Sequence, residues 1–289
     1  MRGIVLAGGL GSRLWPITKV TSKQLLPVYD KPMIYYPISL LMAAGIREFS
    51  IITTRKDSED FKFLLGDGSK WGVSFEFLCQ DAPKGLPDAF NLVDKSKLND
   101  GSVLILGDNL FYGSQIAQKV MQLLNRPDSA IFGYLVNDVS FFGSFELDSD
   151  GAITKLIEKV SSGRGFAIPG IYKFDSTVMS YVKDLIPSKR GELEITDLLK
   201  CYLLENRLSY QILDRGTAWL DTGTVENLNQ AAELIRVIQT RQGMLIGSPD
   251  EVALRSGLIS PADFEKLLDG YGESEYAKSL LNVLSGYEN

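Results

Sequence analysis

The sequence predicts an α/β protein built on a doubly wound, mostly parallel but mixed sheet, with a C-terminal helical appendage. Short apolar runs rich in β-branched and aromatic residues alternate with longer runs of helical apolar spacing, and after about residue 225 only helical runs follow. Strand–helix–strand alternation with short loops implies right-handed crossovers and therefore parallel strands. We accordingly divide the chain into a core over residues 1–225 and a helical region over residues 226–289, which packs on the core or makes an oligomer contact.

The first half of the chain shows the alternation most clearly. Strands are predicted at residues 4–6, 49–53, 74–78, 103–106 and 130–136. Helices are predicted at residues 34–44, 57–65, 86–95 and 115–124, the first of them ending at Gly45. Ligands of such sheets bind beyond the carboxyl ends of the strands. The segments 8–13 and 107–109 each follow a predicted strand, so we expect them to share a cleft.

The second half has a different pattern. Strands are predicted at residues 145–147, 153–158, 166–174 and 208–213, some of them as antiparallel additions to the sheet. Helices are predicted at residues 225–239, 261–268 and 275–284. The sequence contains no internal repeat and no low-complexity tract.

Composition and charge exclude several classes of function. The net charge is −6, and no cluster of Lys and Arg is large enough to form a nucleic-acid surface. No apolar stretch reaches the roughly 18–20 residues that cross a bilayer. The N-terminal residues lead directly into a strand without the pattern of a signal peptide. We therefore expect a cytoplasmic protein with no nucleic-acid and no membrane partner.

The absence of histidine narrows the chemistry further. It excludes Ser-His-Asp triads, Cys-His dyads and His-ligated zinc. Cys79 and Cys201 are isolated in sequence, so neither a disulfide framework nor a Cys-x-x-Cys site is present. Catalysis must then rely on carboxylates, Lys, Arg and backbone amides, with a hard metal ion as a further option.

A glycine-rich segment follows the first predicted strand. Gly8, Gly9 and Gly11 allow the backbone to approach a ligand closely, with amide N–H groups free to hold anionic oxygens. Arg13 and Lys23 add positive charge to this segment of an otherwise acidic protein. The combination favours a polyphosphate site. A turn that merely links a strand to a helix is the alternative that the glycines alone leave open.

Two other phosphate-binding motifs fit this segment poorly. A dinucleotide-binding motif would need a third glycine where Leu14 stands, and Pro16 and Pro27 interrupt the helix that such a fold requires. Asp30 does lie at the distance expected of a ribose-binding acid, but it does not restore that helix. A Gly-x-x-x-x-Gly-Lys-Ser/Thr motif is absent from the sequence, which excludes a P-loop ATPase.

Sequence blocks along nearly the whole chain carry a family resemblance. In chain order they are LAGGLGSRLWP at residues 6–16, SKQLLPV at 22–28, DKPMI at 30–34, LLGDG at 64–68, GDNLFYG at 107–113, RGELEITD at 190–197, AWLDTGT at 218–224 and RQG at 241–243. These blocks resemble the sugar-1-phosphate nucleotidyltransferases and, more narrowly, the bacterial glucose-1-phosphate thymidylyltransferases. The resemblance implies a Rossmann-like nucleotide-binding half over residues 1–110 and a sugar-binding half over residues 111–225.

The resemblance implies an in-line displacement on a nucleoside triphosphate. A sugar phosphate oxygen attacks the α-phosphorus and pyrophosphate leaves, a reaction that needs positioning and charge neutralisation more than acid–base catalysis. By resemblance, the amides of Gly8, Gly9 and Gly11 bind the phosphates. Arg13 stabilises the leaving group, and Lys23 holds the triphosphate.

The resemblance also implies a Mg²⁺ ion and a base-binding segment. Asp108, which also belongs to the nucleotide site, and Asp221 would ligate Mg²⁺ from two separate segments. Without the resemblance, an aspartate that follows a strand is usually a turn or cap residue. Gln80 and Gly85 fit the segment that binds the pyrimidine base, and Gln24 would lie near the deoxyribose. Ordinary surface polarity is the competing explanation for these three.

The expected sugar-phosphate site uses residues from the second half. By resemblance, Asn109, Gly143 and Glu158 hydrogen-bond the sugar hydroxyls. Lys159 and Arg190 would hold the sugar phosphate, the first as a point charge and the second as a fork. An ordinary solvated strand end is the alternative for Glu158 and Lys159.

The chain departs from the family pattern at a few positions. Pro87 and Asp88 stand where an Ala-Gln pair is familiar, and we expect little damage to base binding because proline is tolerated in the first turn of a helix. Phe142 lacks the phenol hydroxyl of the usual tyrosine, and Pro169 stands where threonine is frequent. Trp219 is expected to be a packing wall. The changes at Phe142 and Pro169 affect the expected sugar pocket and leave the phosphate-binding residues intact. The sequence therefore indicates the type of reaction more firmly than the identity of the sugar.

The function predicted by resemblance is Mg²⁺-dependent synthesis of dTDP-glucose and pyrophosphate from dTTP and α-D-glucose 1-phosphate, the first step toward dTDP-rhamnose-type deoxysugars. A UTP- or CTP-dependent enzyme is the alternative within the same chemistry. UTP-type relatives tend to have Lys-Glu-Met-Leu-Pro where this chain has KQLLP at residues 23–27, which favours dTTP. A catalytically silent nucleotide-sugar sensor is the alternative from another class.

Assembly and regulation are also expected only by resemblance. The family forms homotetramers, and it has a nucleotide-sugar feedback site at subunit contacts. Tyr36, Arg215 and Arg255 stand at matching positions for that site. Ala117 and Gln118 replace the polar pair expected on the facing helix, which weakens the argument for a nucleotide-sugar feedback effector.

Overall fold

The computed structural model describes residues 1–159 and 162–287; residues 160, 161, 288 and 289, of which the last two belong to the predicted helical region, lie outside the described residues. The strands are β1 (Arg2–Ala7), β2 (Pro27–Val28), β3 (Lys31–Pro32), β4 (Glu48–Thr54), β5 (Ser74–Gln80), β6 (Ser102–Leu106), β7 (Asn109–Tyr112), β8 (Ser129–Val136), β9 (Gly143–Leu147), β10 (Ile153–Glu158), β11 (Gly165–Ala167), β12 (Ile171–Phe174), β13 (Leu208–Ile212) and β14 (Ala218–Asp221). The helices are α1 (Tyr35–Ala43), α2 (Ser58–Leu65), α3 (Ala89–Leu92), α4 (Ile116–Leu124), α5 (Val178–Val182), α6 (Ile195–Leu204), α7 (Val225–Gln242), α8 (Pro249–Arg255), α9 (Pro261–Asp269) and α10 (Glu275–Tyr287).

The large sheet is mixed and mostly parallel in its central part. Its strand order is β10-β9-β11-β8-β12-β6-β1-β4-β5, and β13 also pairs with β8. Strands β6, β1, β4 and β5 are parallel to one another, and β13 is parallel to β8, whereas β12 runs antiparallel between β6 and β8. Strands β9, β10 and β11 extend the sheet with antiparallel pairs. The predicted fold class is confirmed.

Both faces of the central strands are covered. Along β1, Ile4 belongs to one hydrophobic cluster and Val5 to another, and both are fully buried. Along β6, Leu104 joins the first of these clusters, while Val103 and Ile105 join the second. Successive side chains of a strand point to opposite faces, so this alternation means that helices cover the sheet on both sides. Only the ends of the strands are then open to a ligand.

The predicted helix over residues 86–95 is wrong in its second half. A 3₁₀ turn (Leu86–Asp88) leads into α3, which ends at Leu92. Val93 is extended, with ψ of 135°. The carboxylate of Asp94 accepts the amide of Ser96 at 2.8 Å, and this local hydrogen bond begins a separate 3₁₀ turn instead of continuing the helix.

The predicted strand over residues 166–174 is two strands, β11 and β12. Pro169 separates them, because proline has no N–H to donate to a ladder. Gly170 follows it so close to β6 that a Cβ atom there would lie 2.6 Å from the Leu106 side chain. The break turns the backbone of residues 168–170 toward the end of β6, where the candidate site lies.

Several elements were not predicted. They are the hairpin of β2 with β3, the helices α5, α6 and α8, and the antiparallel pair of β7 with β14. The last of these matters most for function, because it places Asp221 directly opposite Asn109. The pairing joins segments more than one hundred residues apart, and neither strand has a periodic pattern of its own.

The C-terminal helices are fixed to the core by a buried carboxylate. Asp250, at the start of α8, is fully buried. It accepts hydrogen bonds from the Trp71 indole at 2.9 Å, the Tyr271 hydroxyl at 3.0 Å and the Tyr276 hydroxyl at 2.7 Å. Three donors satisfy a charge that would otherwise be costly to bury.

Among the described residues, no helix combines the length and the apolar character needed to span a membrane.

Candidate functional site

The glycine loop follows β1 at the edge where the parallel strands end. Gly11 has a φ of 60°, in the left-handed region that favours glycine, and its carbonyl accepts the Thr18 hydroxyl at 2.7 Å. A Cβ atom at Gly11 would contact the side chains of Thr18 and Lys23 at 3.1–3.3 Å. Gly11 thus lets the loop turn back on itself, and it brings Lys23 beneath the loop.

The segment after β6 meets the glycine loop, so the predicted shared cleft is confirmed. The Gly107 amide donates to the Leu6 carbonyl at 2.9 Å, which ties the ends of β1 and β6 together. The buried ammonium of Lys23 lies 2.6 Å from Oδ2 of Asp108. This charge-assisted contact joins the two predicted phosphate-binding segments.

A chain of hydrogen bonds orients the Asp108 carboxylate. Nδ2 of Asn109 donates to Oδ1 of Asp108 at 2.9 Å, and the Trp219 indole donates to Oδ1 of Asn109. Lys23 holds the other oxygen of Asp108. Trp219 therefore has a second role besides forming a wall of the pocket, because its N–H also fixes the orientation of the Asn109 amide.

Asp221 completes an acidic pair with Asp108. Burial raises the pKa of Asp221, and the negative charge of Asp108 raises it further, although Lys23 and Arg13 oppose the shift. A Cβ atom at Gly223 would lie 3.0 Å from both Nη2 of Arg13 and Oδ1 of Asp221. The Arg13 guanidinium and the Asp221 carboxylate thus lie against the same glycine.

The acidic pair can hold a cation. Within residues 1–159 and 162–287, no group of three or more His, Cys, Asp or Glu side chains is arranged as a metal site. A pair in which the charge of Asp108 raises the pKa of Asp221 nevertheless fits a hard divalent ion, since the positive charge of the ion would favour ionisation of Asp221. A cation bound by Asp108 and Asp221 would have to complete its coordination with substrate oxygens and water.

Two cavities meet at Asp108. The glycine-loop cavity, of about 250 Å³, is lined by Leu6, Gly8, Gly9, Gln24, Gln80, Pro83, Gly85, Leu86, Leu106, Asp108 and Glu192. The aromatic cavity, of about 170 Å³, is lined by Arg13, Leu86, Leu106, Asp108, Asn109, Phe141, Phe142, Gly143, Glu158, Lys159, Ile168, Gly170, Tyr172, Ile195, Trp219 and Asp221. Leu86 and Leu106 also belong to both. Two ligands bound in these cavities would therefore approach each other beside the acidic pair.

The amide of Gln80 and a backbone bridge define the far end of the glycine-loop cavity. Nε2 of Gln80 donates to Oδ2 of Asp88 at 2.9 Å. Gly85 has a φ of 98° and forms a bridge with Leu193, whose amide donates to the Lys84 carbonyl at 2.8 Å. A Cβ atom at Gly85 would lie only 2.0 Å from the Leu193 carbonyl oxygen, so the contact requires glycine.

The aromatic cavity holds a charged cluster against an aromatic wall. The rings of Phe142 and Trp219 have centroids 4.8 Å apart. Opposite charges surround Glu158: its carboxylate lies 3.4 Å from Nζ of Lys159 and 3.7 Å from the Arg190 guanidinium, and it accepts the Thr196 hydroxyl at 3.0 Å. Such a pocket offers apolar faces to a sugar ring, and it offers both acceptors and cations to its polar groups.

Most of the predicted site residues line one of the two cavities. Three do not: Gly11 shapes the loop, Lys23 is bonded to Asp108, and Arg190 is bonded to Glu194 at 2.8 Å. The Arg190 fork is thus engaged by a carboxylate that was not predicted to belong to the site. Sequence reasoning also missed the contributions of Asp88 and Thr196. Thr196 lies in a motif block and Asp88 at a departure from the family pattern, but their contacts depend on the unpredicted start of α6 and on the 3₁₀ turn that precedes α3.

Comparisons with known proteins agree with this geometry. Residues 2–237 match the model of the family described as "Nucleotidyl transferase". A glucose-1-phosphate thymidylyltransferase from Neisseria meningitidis is 44% identical over 98% of this chain and 99% of its own length. One from Mycolicibacterium smegmatis is 45% identical over 94% of this chain and 96% of its own length.

Solved structures show the same architecture. The crystal structure of a Bacillus anthracis protein described as a glucose-1-phosphate thymidylyltransferase, in complex with sucrose, superimposes with a TM-score of 0.75 at 40% identity and covers 82% of this chain and 95% of its own. A UDP-glucose pyrophosphorylase with UDP-glucose gives 0.72 at 23% identity, covering 82% of this chain and 98% of its own, which supports the fold alone. The chain belongs to the nucleotidyl transferase family and is a nucleotidyltransferase enzyme.

Proposed function

We propose that this enzyme transfers the thymidylyl group of dTTP to α-D-glucose 1-phosphate, giving dTDP-glucose and pyrophosphate. The observation that carries the proposal is the position of Asp108 where the two cavities meet, between Lys23 and Asp221. The names of the relatives that align over nearly the full length of the chain support the choice of substrates.

The reaction fits a site without histidine. A phosphate oxygen of the sugar phosphate is already anionic, so it attacks the α-phosphorus without a general base. The barrier then lies in bringing two anions together and in stabilising the charge that gathers on the leaving pyrophosphate. We assign the triphosphate to the amides of the glycine loop and to Lys23, and the leaving group to Arg13.

We further propose Mg²⁺ as the cation of the acidic pair. Nucleotidyltransferases of this family generally depend on a divalent metal. Asp108 and Asp221 would hold the ion, and it would neutralise negative charge on the phosphate oxygens. Lys23 and Asn109 keep the Asp108 carboxylate in one orientation for this purpose.

The two cavities support a division of the chain into a nucleotide-binding half and a sugar-binding half. We assign residues 1–110 to the nucleotide, with Gln80 and Gly85 at the base and Gln24 near the deoxyribose. We assign residues 111–225, together with Asn109, to the sugar phosphate. In this assignment Gly143 and Glu158 face the hydroxyls, while Lys159 and Arg190 lie near the phosphate and compete for it with Glu158 and Glu194.

A nucleotide-by-sugar activity matrix tests the proposal. Pyrophosphate release is measured with Mg²⁺ for dTTP, UTP, CTP and the other common triphosphates against several sugar 1-phosphates. We expect the highest kcat/KM for dTTP with glucose 1-phosphate. A higher value with UTP or CTP would overturn the choice of base, and the absence of release with every pair would support a silent sensor instead.

Assembly, regulation and location stay predictions from the sequence. These are the homotetramer, the nucleotide-sugar feedback effector, the role in deoxysugar formation and the cytoplasmic location. Two residues expected at the feedback site have partners within the chain, since Tyr36 donates to the Val28 carbonyl at 2.7 Å and Arg255 to Glu251 at 2.6 Å.

A further inference from the structure

Asp88 holds the side-chain amide of Gln80. Its Oδ2 accepts Nε2 of Gln80 at 2.9 Å, and its Oδ1 accepts Nδ2 of Asn91 at 3.2 Å. An ionised carboxylate has no hydrogen to donate, so it can bind only the NH₂ end of an amide. The chemistry of Asp88 therefore decides which end of the Gln80 amide faces it.

The opposite end of the Gln80 amide faces the glycine-loop cavity. A Cβ atom at Gly8 would lie 3.5 Å from Oε1 of Gln80, and both residues line that cavity. Within residues 1–159 and 162–287, no donor is hydrogen-bonded to this oxygen. Gln80 thus presents an unoccupied acceptor to whatever binds there.

We propose that Asp88 is a specificity-determining positioning residue, which selects the nucleobase by fixing the orientation of Gln80. The inference rests on the proposed function, in which Gln80 contacts the base. Thymine and uracil carry an N–H at ring position 3, between two carbonyl oxygens. Cytosine has a bare nitrogen acceptor there. An outward Oε1 accepts a hydrogen bond from the first kind of base, and it repels the second.

This geometry gives a functional reason for one departure of the chain from its family's sequence pattern. An Ala-Gln pair is familiar where Pro87 and Asp88 stand. A glutamine can both donate and accept, so it can bind either end of a neighbouring amide. An aspartate can bind only one end. Pro87 fixes the backbone of the 3₁₀ turn that carries Asp88, which reduces the freedom of the carboxylate to move away.

Asp88→Asn tests the inference with little change in shape. Asparagine can donate to Oε1 of Gln80 as well as accept from Nε2, so the amide is free to turn around. We expect the ratio of kcat/KM for dTTP to that for dCTP to fall about tenfold, the value of roughly one hydrogen bond. The KM for dTTP should rise in the same variant. Asn91→Ala is the matched control: it removes the other partner of Asp88 and should leave the ratio unchanged.

A double-mutant cycle separates positioning from a general structural effect. If Asp88 acts through Gln80, the substitution Asp88→Asn should not change the base ratio in a Gln80→Ala background. A ratio within twofold of the parent value in Asp88→Asn alone, or an equal fall in both backgrounds, would overturn the inference. Failure of the proposed function would be seen separately, because the parent enzyme itself would show no turnover of dTTP. A competitive inhibition constant for dCTP replaces its kcat/KM where turnover is too slow to measure.

Discussion

The glycine-loop cavity and the aromatic cavity meet at Asp108, but they are constructed differently. The first lies at the ends of the parallel strands β1, β5 and β6, and it presents glycine backbone and the amides of Gln24 and Gln80 beside apolar side chains. The second is assembled from antiparallel elements, and it presents charged and aromatic side chains. The contrast suits the two proposed ligands, because backbone amides that vary little with sequence would hold a triphosphate, whereas side chains that can change would recognise a sugar.

The largest effect is expected at the residues that both cavities depend on. We expect Asp108→Asn and Asp221→Asn each to lower kcat by roughly a hundredfold or more, because each would remove a carboxylate that holds the proposed Mg²⁺ ion, whose charge would neutralise the phosphate oxygens. Turnover is measured across a Mg²⁺ titration, with circular dichroism to confirm folding. Asp100→Asn is the control, since Asp100 is exposed and precedes β6 where Asp108 follows it. Normal Mg²⁺-dependent turnover in either variant would remove that residue from the metal site.

The backbone bridge between Gly85 and Leu193 should couple the two cavities. Gly85→Ala places a methyl group 2.0 Å from the Leu193 carbonyl, in addition to its positive φ. We expect kcat/KM for both substrates to fall roughly thirtyfold, in line with about 2 kcal/mol of strain. Steady-state kinetics with each substrate varied would measure this. Gly45→Ala is the control, because Gly45 has a similar φ of 101° and open space around it. A loss confined to dTTP would show that the cavities are independent.

Glu158 tests the aromatic cavity alone. Glu158→Gln keeps the size of the side chain but removes the charge that faces Lys159 and Arg190. We expect the KM for glucose 1-phosphate to rise roughly tenfold or more, as for hydrogen bonds to a charged group, and the KM for dTTP to stay within about twofold. Glu146→Gln, an exposed glutamate on β9, is the control. Equal rises in both KM values would contradict the separation of the two sites.

Gln80 tests the glycine-loop cavity and should give the smallest effect. We expect Gln80→Ala to raise the KM for dTTP roughly fivefold with a smaller change in kcat, because one hydrogen bond to the base is lost equally in the ground and transition states. The KM for glucose 1-phosphate should not change. Asp81→Asn is the control, since this exposed neighbour pairs only with Arg55 among the described residues. An unaltered preference among the bases would place the base elsewhere.

The glycine-loop cavity and the aromatic cavity also differ in how well their residues could be predicted from the sequence. Gly8, Gly9 and Asp108 could be placed from the sequence, because each follows a strand with a clear apolar pattern and parallel strands end at a common edge. Gln24 was expected near the deoxyribose only from the family resemblance. The surroundings of Arg190 could not be placed. Its contact with Glu194 depends on where α6 begins, and no periodic signal marked that helix.

Errors in the fold also cluster around the aromatic cavity. The break at Pro169 and the pairing of β7 with β14 were both missed, and both shape that cavity. Short antiparallel strands gain their stability from partners far away in sequence, so their own residues carry little local signal.

The sequence alone determined the fold class and singled out the glycine-rich loop, since apolar periodicity and short motifs are local properties of a chain. The roles of Asp108 and Asp221 were expected from the family resemblance and stay predictions. Only the tertiary structure decided that Lys23 is paired with Asp108, that the Trp219 indole donates to Asn109 and that Asp88 accepts a hydrogen bond from Nε2 of Gln80. Each of these facts states which hydrogen-bond donor meets which acceptor. A hydrogen bond forms only when folding brings a donor and an acceptor within about 3 Å of each other in a suitable orientation.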